Sequence, residues 1–88
     1  MDPATAFGKV LNILRKRKNL SQETLAFESG LQRNYISLLE LGQRTPTLKT
    51  IIKLSDVLEI RPSKVVALTE KKIKERTRAK GRARRAVR

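Results

Sequence analysis

The stretch Leu20-Ser21-Gln22-Glu23-Thr24-Leu25-Ala26-Phe27-Glu28-Ser29-Gly30-Leu31-Gln32-Arg33-Asn34-Tyr35-Ile36-Ser37-Leu38-Leu39-Glu40-Leu41-Gly42 decides how the chain is read. Ser21 is a good N-cap, because its side-chain oxygen can accept from a free N–H of the first turn. A short helix is predicted from Gln22 to about Ser29, with Leu25 and Ala26 inward. Gly30 stops it, since glycine takes a positive φ without steric cost. A second helix is predicted from Arg33 to about Leu41, with Ile36 and Leu39 inward, and Gly42 ends it. Two short helices joined by a brief turn containing glycine make a helix-turn-helix candidate. The small Ala26 lets the second helix cross closely. Ile36 and Leu39 seat that helix, which leaves Arg33, Asn34, Ser37 and Leu38 facing outward.

The flanking sequence supplies more helix. Asp2 before Pro3 is an N-cap and N1 pair, and Phe7, Leu11 and Leu14 recur at i, i+4, i+7. That first helix ends in Arg15-Lys16-Arg17-Lys18, cations suited to a helix C-terminus, with Asn19 as the left-handed stop. Thr47 caps a fourth helix to about Leu58, lined on one side by Leu48, Ile51, Leu54 and Leu58. Pro62 opens a short fifth helix through Val65, Val66 and Leu68. No strand alternation of useful length and no internal repeat occurs, so the fold class is all-α.

The chain has 88 residues, with 21 Lys+Arg against 8 Asp+Glu, a formal net charge of +13. Such a balance favours a polyanionic partner. The charge is uneven. Residues 1–70 hold 11 cations and 7 acids, net +4, while residues 71–88 hold 10 cations against Glu75 alone, net +9. The chain therefore divides into a globular part, 1–70, and a basic tail, 71–88. Ala, Arg and Lys in the tail favour helix, but Gly81 is expected to break it, and dense like charge opposes order unless phosphates neutralise it. Ile73, Ala79, Ala83, Ala86 and Val87 form no wide apolar stripe, which disfavours a membrane-surface helix. The tail reads as a second, sequence-independent DNA anchor, against the plainer reading of a solvated terminus.

The sequence contains no Cys, His or Trp. Cysteine-liganded metal sites and catalytic devices built on a thiol or imidazole are therefore excluded. Ser21 is a cap and has no base to activate it, and the acids show no close pairing that suggests a carboxylate dyad. No enzyme activity, cofactor or metal is expected. No signal peptide and no apolar run near the roughly 20 residues of a membrane span is visible. The absence of a disulfide framework fits a reducing compartment.

At these residues the sequence resembles the Cro/C1-type (XRE) helix-turn-helix family. These are compact five-helix DNA-binding domains found in phage repressors, plasmid regulators, antitoxins and restriction–modification controller proteins. The likeness runs over about residues 5–68 and rests on Leu20–Leu31, Tyr35–Gly42 and Thr45-Pro46-Thr47-Leu48. Asn34-Tyr35-Ile36-Ser37 is particularly similar to controller-type members. The resemblance implies that Gln22 bonds a DNA phosphate and braces the recognition helix. It implies that Gln32, Arg33 and Asn34 reach base edges, and that Ser37 and Leu38 face the groove one turn later. It also implies backbone contacts from Tyr35 and Arg44, and a structural ion pair between Arg15 and Glu40. The sequence departs from the pattern at two places. Gln32 stands where a Ser or Thr cap is usual, either weakening the helix start or serving readout. Val10 and Ile13 replace polar residues beside the Phe7/Leu11/Leu14 stripe, either under the tail or at an oligomer contact.

The side-chain chemistry fits. The planar fork of Arg33 matches guanine N7 and O6, Asn34 can pair with adenine N6 and N7, and Leu38 can lie against a thymine methyl. The bland alternative is a merely polar surface helix. Reading Tyr35 and Phe27 as RNA-stacking aromatics is disfavoured, because three aromatics make no platform. The expected function is a sequence-specific, DNA-binding transcriptional regulator of bacterial or phage type, cytoplasmic and nucleoid-associated. It would bind double-stranded DNA as a homodimer with half-sites about 34–36 Å apart. Repression is the simplest mode, and activation by contact with RNA polymerase is a second. Two alternatives stay open: an antitoxin-type regulator masking a partner toxin, and a nucleoid- or RNA-associated protein dominated by its tail.

Overall fold

Five helices follow one another in the computed structural model: α1 (Pro3–Arg17), α2 (Gln22–Ser29), α3 (Arg33–Glu40), α4 (Leu48–Leu58) and α5 (Pro62–Val87). The structure describes residues 1–87, and side chains over residues 1–75. Three of the helix starts are held by the residues the sequence nominates. Asp2 accepts from the N–H groups of Ala4 and Thr5, at 3.1 and 3.3 Å. Ser21 accepts from Thr24 N–H at 3.0 Å, and Thr47 from Thr50 N–H at 3.1 Å. Each such cap is worth about 1 kcal/mol. The helix stops are left-handed: Asn19 (φ 57°), Gly30 and Gly42 (both 74°) and Glu59 (55°).

The apolar faces converge on one core of Phe7, Val10, Leu11, Leu14, Leu25, Ala26, Ile36, Leu39, Leu54, Leu58 and Val65. Val10 is therefore a core residue, buried to 5% exposure, whereas its companion Ile13 is 40% exposed. Leu48, expected on the inner side of α4, is 69% exposed. As the first residue of α4, it lies just before the packed layer that begins at Thr50 and Ile51.

The largest departure is α5, which is not short. It runs 26 residues, through Gly81, and crosses residue 70 without a break. Lysine, arginine and alanine are strong helix formers. A Glu70–Lys74 pair at 3.4 Å adds i,i+4 support, in the favourable order with the acid nearer the N-terminus. What the side chains of residues 76–88 contact lies outside the described residues.

Candidate nucleic-acid interface

The C-terminal end of α3 is built into the domain through one carboxylate. Glu40 accepts from Arg15 Nε at 2.6 Å and from Arg15 Nη2 at 3.0 Å. It also accepts from Asn12 Nδ2 at 2.9 Å and from Gln22 Nε2 at 3.0 Å. The Arg15 and Glu40 side chains are only 11% and 6% exposed. Burial pushes the Glu40 carboxyl up, but the hydrogen bonds from Arg15, Asn12 and Gln22 outweigh it and hold it below the usual carboxylate range. The hydrogen bond to Glu40 raises Arg15 in turn, against the lowering effect of its own burial. The remaining arm of Arg15 donates from Nη1 to the Leu20 carbonyl at 2.7 Å, tying in the turn before α2. Glu40 thus joins α1, α2 and α3 at a single point.

Two glycines permit this approach. A Cβ on Gly8 would lie 2.4 Å from the Leu39 carbonyl oxygen and 2.7 Å from that of Glu40. At Gly42 a Cβ would lie 2.9 Å from Thr5 Cα, and its φ of 74° already favours glycine.

The N-terminal end of α3 is the opposite. Gln32 is its N-cap residue and makes no side-chain capping bond. Gln32, Arg33 and Asn34 are exposed, and Ser37 and Leu38 are half-buried one turn on. Gln32, Asn34, Tyr35, Leu38 and Arg44 share the rim and floor of one shallow hollow with Gly30 and Leu31. Arg44 lies over the Tyr35 ring, 5.6 Å from its centroid, which orients a loop cation by its attraction to the ring face. The Tyr35 hydroxyl is 3.2 Å from Thr50 Oγ1, which also accepts from the Thr47 hydroxyl at 3.1 Å. Arg33 Nε stands 3.8 Å from Glu23 Oε1, both well exposed. Gln22 is half-buried at the start of α2.

Sequence reasoning missed three contributors: Gly8, Asn12 and Thr50. The first two had a signal. Gly8, Asn12 and Arg15 recur at i, i+4, i+7, parallel to the apolar Phe7, Leu11, Leu14 stripe, so they form one small-and-polar face of α1. Thr50 had none, because its partner Tyr35 is distant in sequence. Among the described residues, no group of three or more acids is placed to hold a metal ion. Nor is any helix among them long and apolar enough to cross a membrane.

Comparison with known proteins agrees with this geometry. A helix-turn-helix family profile matches residues 11–65. Control protein C.BamHI of Bacillus amyloliquefaciens is 44% identical over 64 residues, 72% of this chain and 79% of its own length. The restriction-modification controller protein C.AhdI from Aeromonas hydrophila is 48% identical, with a TM-score of 0.69 over 70% of this chain and 94% of that one. The controller protein C.Esp1396I, solved as a tetramer in complex with its natural 35 base-pair operator, is 29% identical, with a TM-score of 0.74 over 83% of this chain and 96% of that one. Two-helix reader, five-helix frame and sequence likeness coincide, and the chain belongs to the Cro/C1-type helix-turn-helix family.

Proposed function

We propose that this protein is a sequence-specific, DNA-binding transcriptional regulator of the controller type. It binds operator DNA as a dimer, with one α3 in the major groove at each half-site. The observation that carries this reading is the asymmetry of α3: a far end locked by buried Glu40, and a near end presenting exposed Gln32, Arg33 and Asn34. The names of C.BamHI and C.AhdI support the controller assignment, and the operator complex of C.Esp1396I supports the mode of binding.

Arg33 reads guanine through two parallel bonds, and Asn34 and Gln32 read neighbouring base edges. Its pairing with Glu23 does not compete strongly, since exposed ion pairs are worth at most about 1 kcal/mol. Ser37 and Leu38 line the groove. Gln22 gives one amide hydrogen to Glu40 and keeps the other for a phosphate oxygen. The Tyr35 hydroxyl, held 3.2 Å from Thr50 Oγ1, contacts the DNA backbone. Arg44 contacts the backbone beside it. The protein works by binding alone, in the cytoplasm on the nucleoid. It covers a promoter or, at an adjacent site, meets RNA polymerase.

Selection of bound sequences from random duplexes tests this. The expected result is a two-fold symmetric site with half-sites about 34–36 Å apart. Arg33→Ala is expected to relax one position by about 1–3 kcal/mol of discrimination while leaving the fold intact. Recovery of no enriched sequence would sink the proposal.

A further inference from the structure

We propose that residues 71–88, the outer part of α5 and the residue after it, form a second polyanion-binding site that grips the phosphate backbone of duplex DNA without reading its sequence. The duplex as ligand rests on the function proposed above.

The proposal starts from charge segregation. The helix-turn-helix part carries net +4 over 70 residues, and residues 71–88 carry net +9 over 18. The charge also continues into the domain. Lys71 and Lys72 of α5 border a groove with Arg17 of α1, over a floor of Val10, Ile13, Leu14 and Leu68, with Glu75 the single acid among the groove residues. Arg17 itself closes the basic last turn of α1, Arg15, Lys16 and Arg17. Two helices therefore contribute cations to one surface, well away in sequence from α3.

The helix supplies reach. The 17 residues from Lys71 to Val87 span about 26 Å at 1.5 Å per residue. A duplex of that length carries about 15 phosphates. Ten cations in 18 residues answer about two-thirds of that number. Alone it repels itself, and phosphates relieve that repulsion while condensed counterions are released. Its composition suits backbone contact rather than base reading. It has no Asn, Gln or aromatic residue to pair with or stack on a base. It also lacks the Trp, Phe and Leu that bury a helix in a membrane surface.

The test is a salt series on the full chain, using the selected operator and a random duplex. The variant carries Lys71→Gln, Lys74→Gln, Arg78→Gln, Arg82→Gln and Arg85→Gln. Each phosphate contact contributes about 0.9 to the slope of log K against log salt, so the slope is expected to become shallower by about 2–4. Affinity is expected to fall on the order of tenfold to a hundredfold at low salt, alike on both duplexes. A charge-preserving variant, Lys71→Arg with Lys74→Arg and Lys80→Arg, is expected to keep the parent slope. An unchanged slope in the glutamine variant overturns the proposal. So does a loss confined to the operator, or an equal loss in the arginine variant. Loss of binding to phosphatidylserine vesicles with the DNA slope intact assigns the segment to membranes and overturns it too. Arg33→Ala in the same series separates the two proposals. It is expected to relax sequence preference without changing the slope on random DNA. If it does not, the α3 reading fails while the tail result stands on the random duplex.

Discussion

At its C-terminal end α3 is tied to α1 and α2 by the four hydrogen bonds that converge on buried Glu40. Two turns earlier the same helix begins at Gln32 with no side-chain cap and exposed neighbours. One helix thus carries a structural end and a presenting end. The difference teaches where precision comes from in a domain this small. The exposed residues of the near end need not fix one another, because a remote, desolvated joint fixes the helix they ride on. The joint costs specialised residues on α1, and the presenting end costs a missing cap.

The largest expected effect attacks the joint. Arg15→Ala removes the principal partner of a buried carboxylate and is expected to cost about 3–5 kcal/mol, read by urea denaturation at neutral pH. A loss under 1 kcal/mol would mean that Asn12 and Gln22 suffice, and the two ends would differ less than the geometry says. Acid should reach the same joint. The Glu40 carboxyl lies below the usual range when folded. Its stabilisation is therefore complete above the unfolded pKa of about 4.3 and is lost as pH falls through the lower folded value. Glu40→Gln is expected to be less stable at pH 7 and to show a shallower acid limb below about pH 4.

Gly8→Ala comes next. Helix propensity alone favours the change by about 1 kcal/mol. The new methyl would meet two backbone carbonyl oxygens at 2.4 and 2.7 Å, which cannot rotate away. Overpacking of this kind costs about 1–3 kcal/mol, so a net loss of stability is expected. A stabilised protein would show that α1 and α3 can separate without consequence. The smallest effect belongs to the presenting end. Gln32→Ser supplies the missing cap and is expected to gain about 1 kcal/mol, measured as a higher urea midpoint. A weaker affinity for the selected operator should accompany it if Gln32 serves readout, and unchanged affinity would place Gln32 outside the contact.

Much of this frame was legible because it depends on local chemistry. Asp2, Ser21 and Thr47 cap helices by reaching their own next residues. Gly30 and Gly42 announce left-handed stops, and the Phe7, Leu11, Leu14 periodicity marks a buried face. What stayed hidden depends on tertiary placement. Leu48 keeps the periodicity of α4 but sits beyond the packed layer. Val10 shows why a stripe's edge is hard to assign: it is off the main line yet buried. The length of α5 was hidden because the change of charge at residue 71 marks a boundary in composition and none in the backbone: alanine, lysine and arginine carry the helix across it, and Gly81 further on costs only about 1 kcal/mol. For the interface, the exposed positions on α3 followed from the inward pair Ile36 and Leu39. The Tyr35–Thr50 link needed the fold.

Gln32, Arg33, Asn34 and Ser37 contribute nothing to the core. A lineage can therefore exchange these four letters without endangering the domain that carries them. On the proposed reading, in which these side chains contact bases, a duplicated copy would keep its scaffold and drift to a new target. Two such copies in one cell would become separate controls by changes confined to a surface already free of folding duties.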